Sequence, residues 1–292
     1  MAKNIRIIPR LDIKGPNLVK GIHLEGLRVL GKPETFARYY YESGADELLY
    51  IDIVASLYNR NNLLPIVERT ARETFIPLTV GGGLRTIDDI RTVLRAGADK
   101  VAINTAAIRN PELIRTAAKT FGSSTIIVSI QAIRQPDGRY LAFTDNGREY
   151  TGKDVFEWAV QVVELGAGEI MITSVDREGT GLGYDVELTR KVSESVPIPV
   201  IACGGAGSLR HIKKVIVEGK ADAVSLASLL HYSYIKDHPP EGDFSDEGNI
   251  EYLMHMRGSS KFEKTSLEGI KEFLIGGGIP CRHQILKDEI NA

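Results

Sequence analysis

The run Ile76-Pro-Leu-Thr-Val-Gly-Gly-Gly-Leu84 recurs in the same chain as Ile198-Pro-Val-Ile-Ala-Cys-Gly-Gly-Ala206. A chain that carries this pair is constrained to fold as two similar halves. Each copy is a short β-branched and aliphatic run that ends in glycines and leads into a helical pattern. That order reads as a buried strand, a tight turn and a helix N-terminus. The glycines let backbone N–H groups approach an anion closely, and the helix end adds a positive partial charge. Two such turns in matching contexts point to a ligand with two anionic ends.

The repeat extends further. Gly44-Ala-Asp-Glu-Leu-Leu aligns with Gly166-Ala-Gly-Glu-Ile-Met, and Ala98-Asp-Lys-Val-Ala-Ile aligns with Ala221-Asp-Ala-Val-Ser-Leu. Strands are expected over 5–13, 47–55, 76–80, 100–104, 125–132, 169–174, 199–203 and 221–227. Helical patterns fall between them, over 32–43, 63–73, 153–165, 186–193 and 208–218. Two more begin at Thr86, with Asp88 and Asp89 in the first turn, and at Pro111. A last helix is expected over 265–274. Strict alternation predicts a parallel sheet. Two copies of four βα units make the eight of a closed (β/α)8 TIM barrel, with an open doubly wound sheet as the alternative. The reading is one domain over residues 1–292. Residues 14–26 read as a loop or small hairpin. Residues 234–264 break the rhythm after strand eight with a polar, Pro/Gly-rich insertion near the catalytic face. It is either a tolerated surface loop or a lid, and 250–256 reads as one or two helical turns.

Composition narrows the function classes. An apolar share of 43% with 25% charged residues is that of a soluble globular protein. A net charge of −2 leaves no basic footprint for nucleic acid. Two cysteines, Cys203 and Cys281, fit a reducing cytosol rather than a disulfide framework. The N-terminus lacks a signal-peptide pattern, and no apolar run reaches the roughly 20 residues of a membrane span. A cytoplasmic protein with no membrane partner is expected. The six histidines show no metal-ligand spacing and there is no Walker loop, so neither a metal nor a cofactor is expected.

In such a barrel the strand C-termini face the active site. Asp12, Asp52, Gln131, Thr173, Ser174 and Asp176 fall there. Asp12 and Gln131 correspond under the repeat and should lie on opposite sides of the mouth. A carboxylate there can act as general acid or base, whereas an amide can only hydrogen-bond. At the strand starts stand Arg6, Glu47, Lys100 and Glu169. They are either a solvated rim or a ring that closes the barrel axis. Cys203 reads as a small buried residue, Tyr39–Tyr41 as helix packing, and His211 as an exposed helical residue.

These residues resemble the cyclase subunit of imidazole glycerol phosphate synthase. The likeness runs through Arg6-Ile-Ile-Pro-Arg-Leu-Asp-Ile13, Leu78-Thr-Val-Gly-Gly-Gly83, Ile103-Asn-Thr-Ala-Ala107, Thr173–Thr180 and Gly204-Gly-Ala-Gly207, and fails only over about 234–264. The resemblance implies a glutaminase partner at the barrel bottom, whose ammonia passes through the axis to a phosphorylated or nucleotide-linked substrate at the top. It implies an ammonia gate of Arg6, Glu47, Lys100 and Glu169. It places one phosphate site at Gly82, Gly83, Asn104 and Thr105, and the other at Gly179, Gly205 and Ser228. Lys20 and Thr173 join the substrate set. Two aspartates form the family's catalytic pair. Asp12 matches the first, but Gln131 stands where the second belongs, and Arg10 replaces a usually small residue. Loss of one acid or base commonly costs ~10²–10⁴ in rate. The expectation is therefore a paralogue that delivers ammonia to build an acetamidino group on a nucleotide-linked sugar for surface polysaccharide. The histidine-pathway cyclase itself is the alternative. A non-catalytic barrel that only activates a glutaminase comes third, and the half-barrel isomerase relatives, which need no bottom charge set, rank below.

Overall fold

A computed structural model describes residues 3–55, 63–239 and 261–282. Among the described residues twelve strands, labelled in chain order, form one sheet. Eight run parallel: β1 (Arg6–Lys14), β4 (Leu48–Asp52), β5 (Leu78–Gly81), β6 (Lys100–Ile103), β7 (Ile126–Arg134), β10 (Glu169–Ser174), β11 (Val200–Cys203) and β12 (Ala223–Leu226). β12 pairs with β1 through Arg6↔Ala223, and β7 pairs with β10 through Thr173↔Gln131, so the sheet closes on itself. The expected (β/α)8 barrel is present. The open sheet is not.

Side-chain alternation along the strands separates two cores. Ile7, Leu11 and Ile13 point outward into the main cluster beneath the helices. Ile8 points inward, where Leu49, Ala102, Ile127, Met171, Ile201, Cys203 and Ala223 fill the barrel interior. With a period of two, Arg6, Arg10 and Asp12 share the inward side with Ile8. A single strand thus lines the axis from base to mouth.

The outer layer comprises α1 (Pro33–Glu42), α2 (Leu64–Glu73), α3 (Ile87–Arg95), α4 (Thr105–Arg109), α5 (Glu112–Phe121), α6 (Val155–Glu164), α7 (Val186–Ser195), α8 (Leu209–Val217), α9 (Ser228–Asp237) and α10 (Leu267–Gly276). Thr86 and Asp89 form a capping box that starts α3, as its residue types predict. Asp154, Asp185, Ser208 and Ser266 cap α6, α7, α8 and α10.

Two hairpins extend the mouth. Of residues 14–26, Lys14 ends β1 and Asn17 onward belong to the first, β2 (Asn17–Ile22) with β3 (Glu25–Gly31). The second, β8 (Tyr140–Thr144) with β9 (Glu149–Asp154), follows β7 and is absent from the sequence reading. Its tip, Asp145-Asn146-Gly147, has φ of 50°, 60° and 77°, the left-handed geometry that Asp, Asn and Gly tolerate best. The helix expected from residue 153 therefore starts later, at Val155. The short α4 was also missed, and Pro111 caps α5 rather than opening it.

The expected insertion needs one correction. Residues 234–237 still belong to α9. Residues 240–260, including 250–256, lie outside the described residues. On the far side, Phe262 packs on Tyr232 with ring centroids 5.0 Å apart, and the Glu263 N–H donates to the Gly207 carbonyl at 2.9 Å. The chain thus re-enters the fold beside the second glycine turn. Among the described residues no helix is long and apolar enough to cross a membrane.

Candidate functional site

At the base of the barrel the four charged residues form a closed ring. Arg6 Nη1 donates to Glu47 Oε1 at 2.6 Å and Nη2 to Glu169 Oε2 at 2.7 Å. Lys100 Nζ donates to Glu169 Oε1 at 2.6 Å and to Glu47 Oε2 at 3.1 Å. Each cation bridges both carboxylates. Burial pushes the Glu169 carboxyl up, but hydrogen bonds and charge from Arg6 and Lys100 outweigh it and hold the group below its ordinary value. The ring, not the solvated rim, is what the side chains form.

At the mouth, β4 to β7 enclose a cleft of about 210 Å³. Asp52, Gly82, Gly83, Asn104, Thr105 and Gln131 line it, so the first glycine turn and the β6 end meet one cavity, as expected. Gly82 has φ +100°, and a Cβ there would collide with the Asp52 carbonyl oxygen, so the turn requires glycine. Arg85 and Arg109 add positive charge to the rim. Arg109 Nη2 donates to Asp145 and Glu149, each at 3.0 Å, which ties the β8–β9 hairpin across the cleft.

The second glycine turn is tighter. Gly179, Gly205 and Ser228 do come together, with Cys203 and Ser225, but around a cavity of only about 20 Å³. That is room for about one water. A Cβ on Gly205, at φ +107°, would collide with the Gly183 carbonyl oxygen. Thr173 is buried on β10, between Gln131 and Cys203 in register.

Between the two halves lies a buried ionic chain that the sequence did not disclose. Arg10 Nε donates to Asp12 Oδ1 at 2.7 Å, and Arg10 Nη1 contacts Cys203 Sγ at 3.2 Å. Lys20 Nζ donates to Asp12 Oδ2 at 2.9 Å and also to Glu178 Oε1. Arg10, Asp12, Lys20 and Glu178 are exposed by only 3%, 2%, 1% and 3%, so all four charges are held away from water. Burial raises the Asp12 carboxyl, yet Arg10 and Lys20 more than offset this, and its pKa lies below the ordinary value. Lys20 is thereby engaged inside the protein between two carboxylates. Glu178, a conceivable replacement for the missing acid, is also committed to Lys20.

Gln131 faces Asp12 from the opposite wall, as the repeat implies: β1 and β7 are four strands apart in the eight. Its Oε1 accepts from the Gly147 N–H at 2.9 Å, which anchors the hairpin tip. Asp176 is drawn off to cap the Arg134 N–H at 2.8 Å. His211 is half-buried rather than exposed, because its Nδ1 accepts from the Gly207 N–H at 3.2 Å. Beneath the mouth, His231 Nε2 donates to the Arg10 carbonyl at 2.9 Å, and Nδ1 accepts from the Tyr40 hydroxyl at 2.6 Å. Among the described residues no group of three His, Cys, Asp or Glu side chains could hold a metal.

Comparison with known proteins agrees with this geometry. Residues 6–236 match the family described as histidine biosynthesis protein. An imidazole glycerol phosphate synthase subunit HisF of Legionella pneumophila is 60% identical over 206 residues, covering 70% of this chain and 97% of that protein. The protein of the same name from Alkaliphilus metalliredigens (strain QYMF) is 47% identical over 230 residues, 79% of this chain and 91% of its own length. The chain belongs to this family, on its imidazole glycerol phosphate synthase HisF branch.

Proposed function

We propose that this HisF-family barrel is the ammonia-using cyclase subunit of an imidazole glycerol phosphate synthase complex. A glutaminase docks on the base, ammonia enters past Arg6, Glu47, Lys100 and Glu169, and a phosphorylated ribulosyl substrate receives it at the mouth. The observation that carries this reading is the closed salt-bridged ring at one end of the axis, opposite an anion-ready cleft at the other. A ring of this kind has no part in holding substrate and is of use where something small must pass. In this reading Gly82, Gly83, Asn104 and Thr105 hold one phosphate. Gly179, Gly205 and Ser228 hold the other, once the β10–α7 loop moves enough to admit it. The names of both relatives support the histidine-pathway reaction over the sugar amidination expected from the sequence.

A second acceptor, the nucleotide-linked sugar, is favoured by one feature: Gln131 and the Arg10 clamp on Asp12 together depart from a two-aspartate mouth. Steady-state turnover of the ribulosyl substrate with ammonium at high pH separates the two without any glutaminase. Wild-type turnover comparable to ordinary family members supports the cyclase. Activity that emerges only in Gln131→Asp supports the second acceptor, and its absence in both overturns the cyclase reading.

A further inference from the structure

Two side-chain amides line one wall of the cleft, and a backbone group sets the orientation of each. Asn104 follows β6, Gln131 stands on the neighbouring β7, and both line the cavity of about 210 Å³. The Gln131 Oε1 accepts from the Gly147 N–H at 2.9 Å. A backbone N–H can only donate, so the carbonyl end of this amide is engaged and its NH2 end is left for the cleft. Among the described residues that NH2 makes no hydrogen bond. Asn104 is set the other way. Its Nδ2 donates to the Phe143 carbonyl at 3.3 Å, and a carbonyl can only accept, so Oδ1 is the end left over. That oxygen is buried and has no hydrogen-bond partner among the described residues. Phe143 is in register with Gln131 across the β7–β8 ladder, so one hairpin orients both amides. The wall therefore offers one donor and one acceptor from adjacent strands, which run about 4.8 Å apart.

A buried acceptor without a donor is costly and calls for a reason. A phosphate or carboxylate oxygen cannot relieve it, because such an oxygen also only accepts. The arginines of the cleft are committed elsewhere, Arg85 to the Ala55 carbonyl at 3.1 Å and Arg109 to Asp145 and Glu149. A hydroxyl must donate and accept through one oxygen. A carboxamide carries its carbonyl oxygen and its N–H on separate atoms held in one plane, which matches a donor and an acceptor on neighbouring strands.

We propose that Gln131 and Asn104 form a reading pair for a carboxamide on the acceptor substrate. The Gln131 NH2 donates to the ligand carbonyl, and the Asn104 Oδ1 accepts the ligand N–H. The inference rests on the function proposed above only in taking this cleft as the acceptor's site. Gln131 is then a specificity-determining residue, and no proton transfer is asked of it.

Fragment binding to the full chain tests this. The probes are benzamide, acetophenone, which replaces the NH2 by a methyl group, and benzyl alcohol, which offers only a hydroxyl. The readout is the side-chain NH2 resonances of Asn104 and Gln131 in amide NMR, assigned from Asn104→Ala and Gln131→Glu spectra. Benzamide should shift both resonances saturably and bind about 10-fold more tightly than either other probe. Gln131→Glu keeps an acceptor for the Gly147 N–H but turns the donor in the cleft into an acceptor, and should weaken benzamide by about 10-fold. In Asn104→Ala the preference for benzamide over acetophenone should disappear, read from the Gln131 resonance. Benzamide that leaves both resonances unmoved overturns the inference, as does benzamide that binds no more tightly than acetophenone or benzyl alcohol. The test reads binding alone. A wild type inactive on the ribulosyl substrate removes the proposed reaction without touching this result.

Discussion

His231 links the mouth to the helical layer, and its environment predicts a specific loss of stability in mild acid. The side chain is fully buried, and both ring nitrogens are used in the neutral form, Nε2–H toward the Arg10 carbonyl and Nδ1 from the Tyr40 hydroxyl. Burial, then the nearby charge of Lys20, lowers its pKa to about 3 from 6.5. A histidine with a depressed folded pKa stabilises the fold fully above its unfolded value, and that contribution is lost as pH falls from 6.5 toward 3. Below 6.5 the unfolded chain binds a proton that the folded one refuses, so each pH unit costs about 1.4 kcal/mol. Between about pH 7.5 and 5.0 the loss amounts to roughly 2 kcal/mol. Urea denaturation at the two pH values measures it. His231→Gln is the reference, since the amide can still donate to Arg10 and accept from Tyr40 but does not titrate. The carboxylates whose pKa is depressed lose their contribution only at lower pH, so the difference between the two proteins isolates the histidine. The wild type should lose about 2 kcal/mol more than His231→Gln across this range. Equal losses would refute the argument, and would mean that the unfolded and folded histidines bind protons alike.

Arg10→Ala removes one of the two cations on Asp12 and leaves a buried carboxylate under-compensated. It should cost about 3–5 kcal/mol in denaturant titrations and raise the Asp12 pKa from its depressed position, because the nearest cation is gone. Lys100→Met breaks both of its contacts in the basal ring and leaves Glu47 and Glu169 facing each other across Arg6. Because Lys100 is 17% exposed, the stability loss should fall below the fully buried range, at about 1–3 kcal/mol. The ratio of glutamine-fed to ammonium-fed turnover should also drop, and an unchanged ratio would count against a gate.

The barrel was legible because its signals are local and repeated. The glycine turns at 81–83 and 204–205, the alternating strands and the cap at Thr86 each announce their element independently, and the duplication fixes their number. The bottom ring was legible as four residue types at strand starts, but residue types alone left a ring and a solvated rim both open, and only the family resemblance favoured the ring. Closure depends on barrel tilt and radius, which bring β1, β4, β6 and β10 to one axis. The β8–β9 hairpin was missed even though Asp145-Asn146-Gly147 is a strong turn signal, because the period-two pattern around it is short and polar. The Arg10–Asp12–Lys20–Glu178 chain lay beyond reach for a different reason. Its Lys20–Glu178 contact alone spans 158 positions, and only the fold decides that Lys20 from the first hairpin meets Glu178 from the loop after β10. An arginine at position 10 could be noted as unusual, but not where its guanidinium would point.

The two ends of the axis have been treated unequally by the sequence, and physics suggests why that is tolerable. A basal ring works only if both cations bridge both carboxylates, so any single change leaves a partly buried charge without its partner. The mouth is more forgiving. Putting a guanidinium into the barrel interior costs desolvation, but an arginine on the inward side of β1 finds Asp12 two residues along its own strand and Cys203 on β11, two strands away round the barrel. Asp12 is charge-compensated in this way by Arg10 and Lys20, and its counterpart across the barrel is Gln131. The amide holds the Gly147 N–H and fastens the hairpin over the cleft. Reversing Gln131 alone restores a carboxylate on one side while Asp12 stays clamped on the other, so any turnover gained by Gln131→Asp should rise further when Arg10 is replaced as well. Measured as a double-mutant cycle, their effects on turnover should be non-additive.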